Sequence, residues 1–509
     1  MDILENLWLG FSIVCTPMNI LFIFIGAFVG MIIGIIPGFG PTAGIAILLS
    51  LTYTLEPTTA IIMLAGIYYG SMYGGTITSI LINTPGESAT VASTFDGYPL
   101  AKKGRVGPAL VMQAVASFIG GTIGVILISA FAPYFASVAS SFGPPEYFML
   151  IAMGLLTLII IMGENKIYGS ISALLGLAIA VVGVDVISGA QRFTFGQAEL
   201  INGIYFLPVA IGLFGIGELF YSIYEGAHKS ENKQIIAFDR RKDFWPSATE
   251  WAESKFTFIR GSLLGFFVGV LPGAGATIAS LMSYSLEKKV SKTPEKFGKG
   301  HMPGLVGPEA ANNAASSGAM VPLLTLGIPG SGSTAVLLGA FLMWGLQPGP
   351  LLMKENPEFT WGLISSMYLG NIILIAINIF AIPVFIKIMK VPYKMMVPTI
   401  MILCAVGTFS LNGSMIETWL MLGFGLIGFF MKLYDFSPAA LVLALVLGPM
   451  AENTLRQSLI ISDGTLGVFV TRPVSLTILL IMIAIILIPF INMISRAIKK
   501  NKNGSDIKG

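Results

Sequence analysis

A helix cannot run through Pro-Gly-x-Gly, and this chain places that interruption inside two apolar stretches. Gly30, Gly34, Pro37, Gly38, Gly40 and Thr42, in GMIIGIIPGFGPT, recur as Gly265, Gly269, Pro272, Gly273, Gly275 and Thr277, in GFFVGVLPGAGAT. All six positions match at one constant offset of 235 residues. The proline ring removes a backbone donor, and the glycines favour non-helical backbone. Each copy therefore reads as a helix broken at membrane depth, where freed backbone groups must be buried in protein or line a watery cavity. One such break would equally serve a kink or a close helix contact. A matched pair in two halves points to the binding site of a transporter.

Composition supports the membrane setting. Of 509 residues 55% are hydrophobic and only 11% charged, whereas soluble chains are about a quarter charged. The net charge of +3 is small and scattered, which argues against a nucleic-acid partner. Cys15 and Cys404 sit in apolar surroundings and suggest neither a disulfide nor a metal site. His228 and His301 fall among charged residues, so a histidine-based mechanism within the membrane is not expected. The first basic residue is Lys102, so the basic region of a cleavable signal peptide is missing.

The expected class is an all-α polytopic membrane protein built from two inverted-topology repeats. It has paired broken helices or re-entrant hairpins and about 11 spans of roughly 20 residues each. The divisions are a short interfacial helix (1–17), a first membrane repeat (18–225) and a cytoplasmic linker (226–256). A second repeat (257–472), an extra C-terminal span (473–495) and a cytoplasmic tail (496–509) follow. Further internal matches support the duplication: Pro85-Gly86 with Pro329-Gly330, Thr90 with Thr334, and Gly107-Pro108 with Gly349-Pro350. Asp185 and Asp435 are read as ending equivalent helices, and Glu218 and Glu452 as counterparts.

Basic residues are absent before Lys102 and crowd the linker, the loop 287–300, the positions around Lys387, Lys432 and the tail. The positive-inside rule then puts the N-terminus outside and the C-terminus in the cytoplasm. On that reading the segments 20–53 and 259–286 each return to the side they started from. Five crossings per half make the repeats inverted.

The chemistry concentrates near the breaks. Small polar residues there suit two tasks: half-helix N-termini hold a carboxylate, and opened carbonyls with hydroxyl and amide oxygens hold sodium. The expected backbone-opened tips are Gly38, Gly40 and Thr42 with Gly273, Gly275 and Thr277. Asn83, Thr84, Ser88, Asn312, Asn313, Ser331, Ser333 and Thr334 are the expected side-chain ligands. Polar packing between helices is the plainer role for any one of them. Adjacent amides at 312–313 are costly in a membrane unless they find partners. Glu87 and Glu309 flank these motifs as carboxylates that serve function or cap a helix. Lys102, Lys103 and Arg105 are read as setting topology. No catalytic triad, metal cluster or nucleotide-binding Lys accompanies the Gly-rich breaks. That leaves no enzyme and no cofactor beyond a coupling sodium ion or proton. An ion channel would have no need of paired breaks in inverted repeats.

Several long stretches carry a further resemblance: GIIPGFGPTAGIAILL, GSMYGGTITSILINTPGESATVASTFDGYPLAKKGRVGPAL, PEAANNAASSGAMVPLLTLGIPGSGSTAVLLGAF and GLQPGPLL. Together they closely resemble the large permease subunit of the tripartite tricarboxylate transporters, the TctA family, over nearly the whole chain. Ser50 stands where family members commonly carry Pro, and His301-Met302-Pro303 is also atypical. The resemblance implies a bacterial inner-membrane secondary transporter for citrate or other carboxylates, driven by a cation gradient. It also implies two partners, a small four-helix membrane subunit and a periplasmic solute-binding protein. An elevator motion is a more distant analogy. The alternative is an ion-coupled organic-anion symporter that works without partner subunits.

Overall fold

The computed structural model describes residues 3–161, 166–185, 187–228, 244–271, 275–389, 391 and 393–487. The tail and most of the linker foreseen from sequence lie outside them, as does Gly273. The first helices are α1 (Ile3–Val14), α2 (Pro17–Ile35), α3 (Gly40–Thr52) and α4 (Pro57–Ile82). After a 3-10 turn, Ser88–Thr90, come α5 (Val91–Lys102), α6 (Val106–Ala139), α7 (Pro144–Ile161) and α8 (Lys166–Ala180). The half closes with α9 (Phe206–Ala210), a π-helical stretch (Ile211–Ile216) and α10 (Gly217–His228).

A similar opening order then returns. It consists of α11 (Ala248–Val270), α12 (Gly275–Val290), α13 (Met302–Gly318), α14 (Met320–Leu326) and α15 (Gly332–Met343). Next come α16 (Pro350–Glu355), α17 (Pro357–Phe380), α18 (Ile382–Ile388) and α19 (Tyr393–Asn412). The chain continues through α20 (Met415–Leu433), α21 (Pro438–Ile461), α22 (Val468–Thr471) and α23 (Pro473–Leu487).

The breaks form where the sequence places them. α2 stops one residue before Ile36-Pro37, and Gly38 and Gly40 take φ of +82° and +58°. Gly275 repeats the second of these at +60°. A Cβ at Gly40 or Gly275 would meet nothing within 4 Å, so backbone conformation and not space selects glycine there.

The other glycines of the motif serve a different purpose. A Cβ on Gly30 or Gly34 would collide with the α4 carbonyls of Ile67 and Ser71. One on Gly265 or Gly269 would collide with those of Ala311 and Ala315 on α13. Thus α2 lies backbone to backbone against α4, as α11 does against α13, the small-residue packing that membrane helices use. Gly34→Leu should force the first pair apart. We expect a cost of about 3 kcal/mol or more, read as a lowered melting temperature of the solubilised protein. An unchanged value would show that this contact is not close in solution.

The all-α membrane class holds: seven of the described helices are long and apolar enough to cross a bilayer (α2, α4, α6, the α9–α10 segment, α17, α20 and α21). Six shorter apolar helices accompany them. That count covers the described residues alone: the expected spans 147–162 and 474–494 extend beyond them, while the break at Pro329-Gly330 divides 310–346 among α13, α14 and α15. In addition, α11 carries Glu250, Glu253, Lys255 and Arg260.

Two local expectations change. Asp185 does not end a helix; it lies past α8, at a two-stranded ladder, β1 (Gly183–Val184) with β2 (Gln191–Arg192). Gly183, at φ +121°, turns the chain out of the helical path. Asp185 there pairs with Arg456 of α21 at 2.8 Å, and Arg192 pairs with Glu452 at 2.7 Å. The Ser188 hydroxyl and then Arg456 hold the Asp185 carboxyl well below the usual carboxylate range. His301 is not in an open loop: it is buried at the start of α13, its ring against Phe297.

The halves interlock. Asp96 of α5 accepts hydrogen bonds from the backbone N–H groups of Gly298, Gly300 and His301 at 2.7–3.0 Å. The Tyr284 hydroxyl donates to it as well, at 3.0 Å. The lysine-rich loop before α13 is thereby docked onto the first half. Arg260 on α11 and Glu287 on α12 tie the second hairpin together at 2.5 Å.

Candidate functional site

The interrupted helices meet around one cavity of about 790 Å³. Four helix N-termini stand on its wall: Gly40 of α3, Gly275 of α12, Gly332 of α15 and Pro438 of α21. The 3-10 turn at Ser88 adds a fifth short segment. First-turn N–H groups have no partner within their own helix and lie at the positive end of its dipole. Converging several of them favours a small anion.

The tips are latched crosswise. The Thr42 hydroxyl of the first hairpin is 2.9 Å from that of Ser333 in the second half. The Thr277 hydroxyl of the second hairpin is 2.9 Å from that of Ser88 in the first. Each hairpin tip therefore rests on the Pro-Gly break of the other half. The second breaks are built for this. Pro85-Gly86 and Pro329-Gly330 interrupt the chain before Ser88 and Ser331, and Ser331 with Thr334 forms a capping box that starts α15. Gly86 approaches so closely that a Cβ there would overlap the Gly34 carbonyl.

One basic side chain stands on the wall among the described residues. Lys432, in the last turn of α20, forms an ion pair with Glu218 of α10 and lies over the Tyr221 ring at 4.7 Å. Glu87, Asp435 and Tyr68 complete the ionisable lining.

The foreseen residues thus divide. Gly38, Gly40, Thr42, Ser88, Gly275, Thr277, Ser331 and Ser333 line the cavity together. Thr334 caps α15 from behind Ser331. Asn83 is exposed at the end of α4, with φ +52°, and the Thr84 hydroxyl donates to the Ile82 carbonyl at 3.2 Å. Neither of these two reaches the wall. Gly273 lies outside the described residues. Tyr68, Glu218, Lys432 and Asp435 were not foreseen as site residues. Their signal was available, since Glu218 and Lys432 are isolated opposite charges at the ends of apolar runs, but only the fold brings them together.

The amide pair lies elsewhere. Asn312 and Asn313 gather around Glu309, which is fully buried inside α13 and caps nothing. Its carboxyl accepts from the Thr76, Ser93 and Ser117 hydroxyls at 2.5, 3.3 and 2.7 Å. The amides of Gln113, Asn312 and Asn313 add donors at 3.2–3.3 Å. Four of these six partners come from the first half, so Glu309 joins α13 to α4, α5 and α6. Glu87 does not cap a helix either: its side chain makes no cap bond to the turn that follows it. Glu309→Leu would orphan Thr76, Ser93 and Asn312 at about 1–3 kcal/mol each, while Gln113, Ser117 and Asn313 keep a second acceptor. We expect no monodisperse protein on size exclusion, and a stable, normally eluting variant would refute this bracing role.

Residues 20–443 match the family described as "Tripartite tricarboxylate transporter TctA family". The chain belongs to that family. A relative in Agrobacterium vitis, an uncharacterized 52.8 kDa protein in the TAR-I ttuC' 3' region, is 42% identical over 488 residues, 96% of each chain. A second one there, in the TAR-II ttuC' 3' region, is 40% identical over 230 residues, 45% of this chain and 95% of its own length. No solved structure matches.

In this TctA-family chain a second cavity, of about 520 Å³, lies at the far ends of the same helices. Leu49 and Tyr53 of α3, Leu342 of α15, Glu417 of α20 and Leu445 of α21 line it. It is largely apolar, with Asn202, Asn412, Glu417 and the two tyrosines Tyr53 and Tyr205 as its polar residues. Two hollows at opposite ends of a shared set of helices suit a transporter that exposes its site to each side in turn.

Proposed function

We propose that this chain is the large permease subunit of a binding-protein-dependent secondary transporter that imports tricarboxylates, citrate-like, or other organic carboxylates. The observation that carries the reading is the convergence of four helix N-termini and Lys432 on one cavity between the halves. A carboxylate would accept from first-turn N–H groups, while the Ser and Thr hydroxyls of the crossed tips hold its remaining oxygens. A cation gradient, of sodium or protons, drives accumulation. Net import requires the site to face each side in turn, so the crossed hydroxyl latches open and reform during the cycle.

This reading takes the chain to sit in the bacterial inner membrane, and the distribution of its basic residues supports a cytoplasmic C-terminus. The cavity at Lys432, walled by the four helix N-termini, then opens inward, and the cavity at Glu417 faces the periplasm. A periplasmic binding protein would deliver substrate to that outer face, and a small four-helix subunit would complete the complex. The test is labelled citrate uptake into vesicles holding this chain and both partners, with an imposed sodium or proton gradient. Uptake that needs the gradient and the binding protein supports the reading. Gradient-driven uptake by this chain alone would replace it with a stand-alone symporter, and conductance without saturable uptake would point to a channel.

A further inference from the structure

Glu87 sits on the cavity wall at the Pro85-Gly86 break, yet its side chain is only 9% exposed. Its Oε1 is buried and has no hydrogen-bond partner among the described residues. Its Cγ packs at Gly75, where a Cβ would come within 3.1 Å. The next residue, Ser88, is the one that touches the other hairpin tip at Thr277. A buried carboxyl oxygen that lacks a donor makes this group poorly suited to remain charged. It is still less suited to remain charged when an anion enters the same cavity.

Among the described residues the surroundings offer no compensating cation. Glu309 of α13 is a second acid felt by Glu87, and Tyr68 of α4 is the nearby phenol. On α5, Asp96 is committed to the loop 298–301 and Lys102 lies over the Tyr98 ring. The charged residues of α12, Glu287, Lys288 and Lys289, are in its last turn, away from the tip at Thr277. Across the cavity Lys432 is occupied by Glu218, and Asp435 adds another acid.

We propose that Glu87 is the proton-carrying group that couples carboxylate movement to the proton gradient. This rests on the carboxylate-permease reading. A proton from the outer aqueous phase joins the Glu87 carboxylate, and the neutral acid donates its O–H to a carboxylate oxygen of the substrate. On the inner side the proton returns to water as the substrate leaves, and the residue is again a carboxylate. Only O–H bonds form and break, and one proton passes per cycle. Like-charge exclusion does the coupling: substrate and ionised Glu87 do not share the cavity.

The test compares wild type, Glu87→Gln and Glu87→Asp in vesicles containing both partner subunits, with labelled citrate. For wild type, acidifying the outside from about pH 9 to about pH 6 should raise initial uptake roughly tenfold or more, as a single group titrating well inside that interval gives. Glu87→Gln should lose net accumulation, and its residual uptake should change less than about twofold over that range. Glu87→Asp should keep a pH-dependent profile, displaced from that of wild type. Infrared difference spectra of the purified chain add a readout that does not need transport: a neutral carboxyl band near pH 7, absent from Glu87→Gln. A wild-type pH profile in Glu87→Gln, or uptake driven by sodium and indifferent to pH, overturns the proposal and leaves the permease standing. No citrate uptake, with the infrared band present in wild type and lost in Glu87→Gln, overturns the permease reading for that substrate and keeps Glu87 as a neutral buried acid. No band at neutral pH removes the proton from Glu87 whatever the uptake shows.

Discussion

Oxidising a Thr42→Cys, Ser333→Cys pair should arrest transport. The two hydroxyl oxygens are 2.9 Å apart, within reach of a disulfide after modest adjustment. The pair bridges the tip of the first hairpin and the break that starts α15 in the second half. If access alternates by movement of one half against the other, this contact must open in each cycle. A bond in its place should cut uptake by at least about tenfold, as expected when a gating step is blocked, and reductant should restore it. Cys15 is exposed and Cys404 buried, so the experiment belongs in a background with both replaced by Ser. The mirror pair, Ser88→Cys with Thr277→Cys, should behave alike. Full uptake in the cross-linked state would mean that the tips do not separate, and the alternating-access reading would fall with that result.

Removing Lys432 should have a comparable effect through charge. It is the basic group on the cavity wall among the described residues, and its partner Glu218 is largely buried. Lys432→Gln leaves that carboxylate unpaired and turns the wall more negative toward an anionic substrate. Loss of one partner from such a pair costs roughly 2–5 kcal/mol of stability; loss of a charged donor to the anion costs about 1.5–3 kcal/mol of binding, so we expect KM for citrate to rise by a factor of about ten or more. The double variant Lys432→Gln, Glu218→Gln separates two causes. It removes the orphaned charge and should recover thermal stability, while KM stays high if Lys432 contributes to anion binding. A double variant with wild-type KM would confine Lys432 to a structural role.

Much of the site was legible because its determinants are local. Pro37 and the glycines at 38, 40 and 275 dictate a break by their own backbone chemistry, and Ser331 with Thr334 spells a helix start. Residues adjacent to such breaks in sequence stay adjacent in space, so Thr42, Ser88, Thr277 and Ser333 were recognisable. Lys432 and Glu218 were not, because 214 residues separate them and nothing local in either segment names the other. The Asn312–Asn313 pair shows the opposite limit. An amide pair in an apolar run demands partners, but the sequence does not say whether these are a ligand or a carboxyl on the preceding turn. Glu309 supplies that carboxyl. The ladder at Gly183–Arg192 escaped because two-residue strands carry no readable period.

The Glu309 contacts also impose a timetable. Thr76 precedes its acceptor by 233 residues, and ribosomes add roughly 5–20 residues per second. The first half therefore spends about 10–50 s in the bilayer before Glu309 is made. During that interval Thr76 and Ser93 need water or temporary acceptors at membrane depth, whereas Gln113 and Ser117 already have acceptors in the first half. Synthesis speed, and not diffusion, then governs when the interior of this protein closes.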